Sequence, residues 1–157
     1  MKEFIIQKNE ENQRFDKYLK KLLPNATTSF LYKMMRKKNI VINKTFDNPK
    51  DDFIGDYGRL RQMFIIIFDN AVKFSSENSS IDVIFAKNRV HIRDYGCGIE
   101  TERLPYIFER FHKSGGENNK TGSGLGLAIA REIAHRHNIK VSARSKVGEG
   151  TEFIFEF

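Results

Sequence analysis

The stretch FDNAVKFS, residues 68–75, sets a carboxylate, an amide and an ammonium within five residues: Asp69, Asn70 and Lys73. On a helix, Ile66, Asn70 and Lys73 stand at i, i+4 and i+7 and share one face. Asn70 offers a neutral oxygen suited to a hard cation that keeps several waters. Lys73 offers a point charge for a phosphate, and Phe74 a ring against which a base can pack. Asp94 closes a strand-like run and is followed by YGCGI. Gly96 and Gly98 there let the main chain turn sharply or come close to a ligand, and a carboxylate held beside them accepts from an exocyclic amine. A third stretch, TGSGLGLAIA, runs from glycine and serine straight into a helical pattern. Bare N–H groups and the positive helix end make an anion site, and Gly124 and Gly126 keep the chain open to phosphate oxygens. No Gly-Lys-Ser/Thr ends the loop, so it is not a Walker loop. A fourth stretch, GEGTEF, puts Thr151 at the entry to the last strand. Taken singly, each has a plain structural explanation: a solvated helix face, a glycine turn, a flexible loop capped by Ser123, a hairpin.

The elements that must hold these residues are legible in the pattern. Leu60, Met63, Phe64, Ile67, Phe68 and Ala71 form a helical stripe. IDVIFA and RVHIRD read as paired strands around Lys87 and Asn88, LPYIFERFH as a short helix, and LGLAIAREIAHRH as a helix that begins just after glycines. KVSARS and TEFIFEF read as strands joined through the KVGEG hairpin. Helices grouped with a mostly antiparallel sheet predict an α+β sandwich. Ahead of them, residues 14–23 and 27–39 read as two helices and 40–43 as a short strand. A composition break at 43–52, NKTFDNPKDD, divides a small basic α+β element, 1–46, from a larger domain, 47–157.

Charge follows the same division. The first 46 residues carry 11 Lys/Arg against 4 Asp/Glu, and the remainder carries 16 of each, so the net +7 sits entirely in the first third. Such asymmetry points to a polyanionic partner for that part. The longest apolar run, MFIIIF, is too short to span a bilayer, and the N-terminus lacks a signal-peptide core. The single cysteine, Cys97, forbids an internal disulfide and fits a reducing cytosol. With four histidines it offers no zinc-ligand spacing.

Together, in this order, the four stretches resemble the ATP-binding catalytic domain of bacterial sensor histidine kinases. Its wider superfamily, with gyrase, mismatch-repair ATPases and a heat-shock chaperone, shares the Bergerat fold. FDNAVKFS looks like the asparagine box, DYGCGI the first glycine box, IFERFH the phenylalanine box, GSGLGL the second glycine box and GEGTEF the closing motif. The resemblance covers about residues 50–157. It implies that Asn70 binds Mg2+ bridging the phosphates of ATP, that Lys73 contacts phosphate and that Phe74 flanks the adenine. Asp94 would accept the adenine amine in a pocket shaped by Gly96 and Gly98, with Thr151 in support. Phe108 and Phe111 would anchor a lid, and Gly122, Ser123, Gly124, Leu125 and Gly126 would cradle phosphate. Asp69 stands where some relatives orient the nucleophile. The implied activity is transfer of the ATP γ-phosphoryl group to a histidine on another domain or chain, with a response regulator downstream. The setting would be the cytoplasm, as the intracellular part of a membrane sensor. Three departures stand out. Ile66 replaces a second asparagine. None of His91, His112, His135 and His137 lies in the expected His-Glu helix. Only residues 51–56 precede the asparagine-box helix where the family has a further strand, so the sheet is expected to be incomplete.

The segment QRFDKYLKKLLPNATTSFLYKMMRKKNIVINK resembles a second family, the small RNA-binding domain of ribosomal pseudouridine synthases. It implies a basic RNA surface from Arg14, Lys17, Lys33, Arg36, Lys37 and Lys38, with salt-sensitive binding. No catalytic domain of that family follows. Two truncated families meeting at one junction read as a hybrid in which residues 1–46 complete or solubilise the rest, packing as a separate element or replacing the missing strand, and the alternative function is an RNA-binding module joined to an inactive nucleotide-binding fragment.

Overall fold

A computed structural model describes residues 4–5, 36–47, 52–53, 55–112 and 123–157. The helix expected at 14–23 and most of the one at 27–39 lie outside these residues. A helical turn at 36–38 ends at Asn39, which takes a left-handed φ of 52°, as Asn tolerates at helix ends.

Among the described residues, seven strands and two further helices follow one another along the chain: β1 (Phe4–Ile5), β2 (Val41–Asp47), β3 (Asp52–Phe53), α1 (Tyr57–Phe74), β4 (Ser80–Ala86), β5 (Arg89–Asp94), α2 (Gly126–Arg136), β6 (Lys140–Lys146) and β7 (Gly150–Glu156). β1 and β3 form a small antiparallel pair. The main sheet has the order β2-β4-β5-β7-β6. Only β2 and β4 run parallel, because the connection between them passes through α1, and hairpins can join antiparallel strands alone.

α1 forms because its apolar residues recur at helical spacing. Leu60, Met63, Ile67, Phe68, Ala71 and Val72 are buried, and Asp56 caps the N-terminus by accepting from the Arg59 N–H at 3.0 Å. The strands alternate. Ile81, Val83, Phe85, Val90, Ile92, Phe153 and Phe155 meet the buried helix residues, Ala130, Ile133 and Ala134 of α2 among them, in one core, with Phe64 packed on Phe155 at 5.3 Å. The opposite face of the sheet is polar. Asp82 accepts from Asn43 and Tyr95, and His91 lies 3.1 Å from Glu152.

The structure revises two sequence expectations. The sheet does not lack its first strand: β2, rich in the β-formers Val41, Ile42, Thr45 and Phe46, fills the edge beside β4 across the break at residue 46. LPYIFERFH is not a helix. It holds one 3-10 turn, Leu104–Tyr106, followed by turns. The chain cannot continue helically because Phe111 takes φ 62° to donate its N–H to the Gly124 carbonyl at 2.9 Å.

Candidate functional site

At one end of the helix-covered sheet face, neighbouring strands bring Ile81, Asp94, Thr151 and Ser145 into a single cross-strand row. Asp94 is only 3% exposed and Thr151 6%. One oxygen of the carboxylate, Oδ1, accepts from the Gly96 N–H at 3.0 Å and the Thr151 N–H at 3.3 Å. Burial pushes the Asp94 carboxyl up to about 6, against the opposing pull of those two N–H groups and of the Arg93 charge.

Main-chain crossings that only glycine permits fix this carboxylate. A Cβ on Gly96 would stand 2.2 Å from the Phe74 carbonyl oxygen, and one on Gly150 2.0 Å from that of Asp94. Gly98, at φ 70°, similarly crosses Lys146. The turn after β5 is therefore wedged between the end of α1 and the β6–β7 hairpin, where the Gly148 N–H donates to the Cys97 carbonyl at 2.8 Å.

α1 supplies the other side of the site. Ile66, Asn70 and Phe74 succeed one another at single-turn intervals. Phe74 abuts the Asp94 turn through its carbonyl, while a Cβ on Gly126, the first residue of α2, would meet Ile66 Cγ2 at 3.2 Å. Asn70 thus lies along α1 between the carboxylate and the glycine-led helix start, about 6 Å of helix rise from each flanking position. Asn70, Lys73 and Phe74 are half-buried, and the Lys73 ammonium sits 5.1 Å from the Phe74 ring centroid. Asp69 is exposed as a residue, yet partial desolvation raises its carboxyl above the ordinary range, opposed by Lys73.

The α2 N-terminus has no side-chain cap and no acidic residue in its first turn, so its N–H groups keep the capacity to bind an anion. Ser123 is exposed and accepts from the Leu125 N–H at 3.3 Å; it forms a turn ahead of the helix. Gly124 holds φ 71° where a Cβ would strike Phe111. Gly122 lies outside the described residues. The two phenylalanines divide their roles. Phe108 packs edge-on against Phe153 at 6.2 Å. Phe111 is 73% exposed, and its N–H donates to the Gly124 carbonyl at 2.9 Å.

Among the candidates for an RNA surface, Arg14, Lys17 and Lys33 lie outside the described residues, and Arg36 and Lys37 are exposed. Lys38 is corrected: its ammonium donates to the carbonyls of Val72, Lys73 and Ser75 at 3.1, 2.9 and 2.8 Å. Three donors meet three carbonyls left open at the end of α1, which consumes the hydrogen-bonding capacity that a phosphate contact would need.

Sequence reading missed Lys38 as a helix cap and Ser145 altogether. The Ser145 hydroxyl accepts from the Ile99 N–H and donates to the Gly150 carbonyl, each at 2.8 Å, and lies 2.9 Å from Thr151 Oγ1. Its position immediately before the KVGEG hairpin carried a signal only once the strand register was known.

A buried acceptor beside the C-terminal end of α1, an amide and an ammonium on its last two turns and an open helix N-terminus beside Ile66 at its middle define a nucleotide-binding α/β sandwich. The family of histidine kinase-, DNA gyrase B- and HSP90-like ATPases matches residues 55–157. The chain belongs to this family. The sensor histidine kinase YkoH of Bacillus subtilis is 40% identical over 106 residues, 65% of this chain and 23% of YkoH. The chain thus spans well under half the length of that relative. Among solved structures, the catalytic domain of the histidine kinase ThkA is 25% identical with a TM-score of 0.70, covering 100% of this chain and 95% of that one. Full-length ShkA in complex with AMPPNP has the same identity and TM-score, covering 99% and 31%. Among the described residues no helix is long and apolar enough to cross a membrane.

Proposed function

We propose that this chain carries the ATP-binding catalytic part of a two-component sensor histidine kinase, acting in the cytoplasm on a phosphoacceptor histidine held by another domain or chain. The observation that carries the reading is the buried Asp94 carboxylate, braced by Gly96 and Thr151, facing the same end of α1 as Phe74. Such a carboxylate accepts an exocyclic amine, and the ShkA complex with an ATP analogue supports ATP as the ligand.

In this reading the adenine lies by Asp94 and Thr151, with Phe74 beside it, and the phosphates run along α1 toward the N–H groups at the start of α2. Lys73 contributes charge to the phosphates. A divalent cation fits at Asn70 as a hydrated ion that takes one protein oxygen and the rest from phosphate and water. No group of three His, Cys, Asp or Glu side chains among the described residues could hold one independently. Isoleucine at 66 leaves Asn70 as the sole amide on that face. The acceptor imidazole nitrogen attacks the γ-phosphorus as the bond to the β-phosphate oxygen breaks, releasing ADP. In this reading Asp69 orients that imidazole. A response regulator takes the phosphoryl group afterwards.

Titration with Mg-ATP tests the site. Asp94→Asn weakens binding by about 1.5–3 kcal/mol, the scale of a hydrogen bond to a charged group; equal affinity for both proteins removes the adenine pocket from this position. None of the four histidines lies in a His-Glu helix context. Labelled ATP therefore leaves residues 1–157 unphosphorylated, and a stable phosphohistidine on this chain overturns the supply of the acceptor from elsewhere.

A further inference from the structure

Resting on the nucleotide reading above, the geometry points to Ser145 as a positioning residue for base selection: it fixes the direction of the Thr151 hydroxyl so that the base end of the pocket presents acceptors only. The argument is one of counting protons. A serine hydroxyl has one hydrogen and two lone pairs. The Ile99 N–H, 2.8 Å away, can only donate and occupies one lone pair. The Gly150 carbonyl, also at 2.8 Å, can only accept and takes the single hydrogen. What remains toward Thr151 Oγ1 at 2.9 Å is a lone pair, so Thr151 is the donor in that contact.

The Thr151 hydrogen is thereby committed sideways along the strand row, and its oxygen retains lone pairs alone. Its neighbour in the row is Asp94, whose carboxylate is likewise an acceptor. Where both acceptors face C6, they suit an amino group there, which has two hydrogens to donate, and repel a carbonyl at that position. Ser145 acts through the hydroxyl of Thr151, and its own hydroxyl is held by two elements that the site already needs: the first glycine turn through Ile99 and the last hairpin through Gly150.

The test compares ATP with ITP, which differ at C6, by equilibrium binding to the whole chain. The wild type prefers ATP. Ser145→Ala frees the Thr151 hydrogen, and the ATP-to-ITP affinity ratio narrows by about tenfold, the worth of one hydrogen bond exchanged for a repulsion. Ser145→Thr keeps the hydroxyl and restores the ratio. Thr151→Val narrows the ratio as well, and adding Ser145→Ala to it changes the ratio no further, because the two act through one group. An unchanged ratio in Ser145→Ala, or a further narrowing in the double variant, overturns the assignment. A wild type that binds both nucleotides equally overturns it while leaving the nucleotide site standing; a wild type that binds neither overturns both.

Discussion

Ionised Asp94 costs the fold stability that binding recovers. Its carboxyl is raised by burial from an ordinary 3.8 to about 6, so the folded state binds more protons than the unfolded state between those values. Stability therefore falls as pH rises through that window, by about 3 kcal/mol in full once both states are ionised. Asp94→Asn keeps an oxygen for the Gly96 and Thr151 N–H groups without the buried charge. The ligand-free variant accordingly melts above the wild type at pH 7 and converges with it near pH 4. An unchanged melting temperature at pH 7 contradicts the desolvation argument. On the proposed reading ATP affinity has the opposite dependence, because the amine needs the ionised acceptor: it is full above about pH 6 and lost below. A site that destabilises its own fold in order to bind is a common compromise between stability and activity.

At the scale of elements, α1 is the beam on which the site hangs, and its last turn is held from outside. The Lys38 ammonium meets three of its terminal carbonyls, and the segment around it is pinned by Asn78 N–H to the Lys38 carbonyl at 2.8 Å and by the Asn39–Asn78 side-chain bond. A cation at a helix C-terminus also opposes the helix dipole. Lys38→Met retains the stem packing and loses the charge and donors. Urea unfolding registers a loss of about 1–2 kcal/mol, and amide exchange quickens at Val72–Ser75. A variant with the wild-type midpoint shows that the cap is idle. Lys73 and Phe74 lie within the capped turn, so on the proposed reading the same change weakens ATP binding.

For the molecule as a whole, the parallel edge strand makes residues before the composition break part of the same sheet as residues after it. β2 pairs along all seven residues of β4. A chain cut to begin at residue 48 bares the apolar β4 edge, a template for pairing between molecules. It elutes as higher oligomers in size-exclusion chromatography where a chain beginning at residue 36 remains monomeric. Monomeric behaviour of the shorter chain, with an unchanged unfolding midpoint, makes β2 dispensable.

The local pattern determined much by itself. The stripe from Leu60 to Ala71, the alternation in IDVIFA and RVHIRD and the glycines around Asp94 each encode their own element, because periodicity and φ preference are properties of a few adjacent residues. The family resemblance rested on motifs of the same short range. Tertiary structure decided what depends on long-range register. IVIN read as a short strand closing the first unit until pairing with β4 carried the strand on to Asp47 and made it an edge of the sheet. Lys38 read as a free basic charge until the end of α1 came within 3 Å of it. IFERFH read as a helix until Gly124, thirteen residues beyond Phe111, claimed that residue's N–H. Ser145 had no distinguishing mark in sequence, since a hydroxyl's role is set by which donors and acceptors the fold brings to it, and those come from three separate segments of chain.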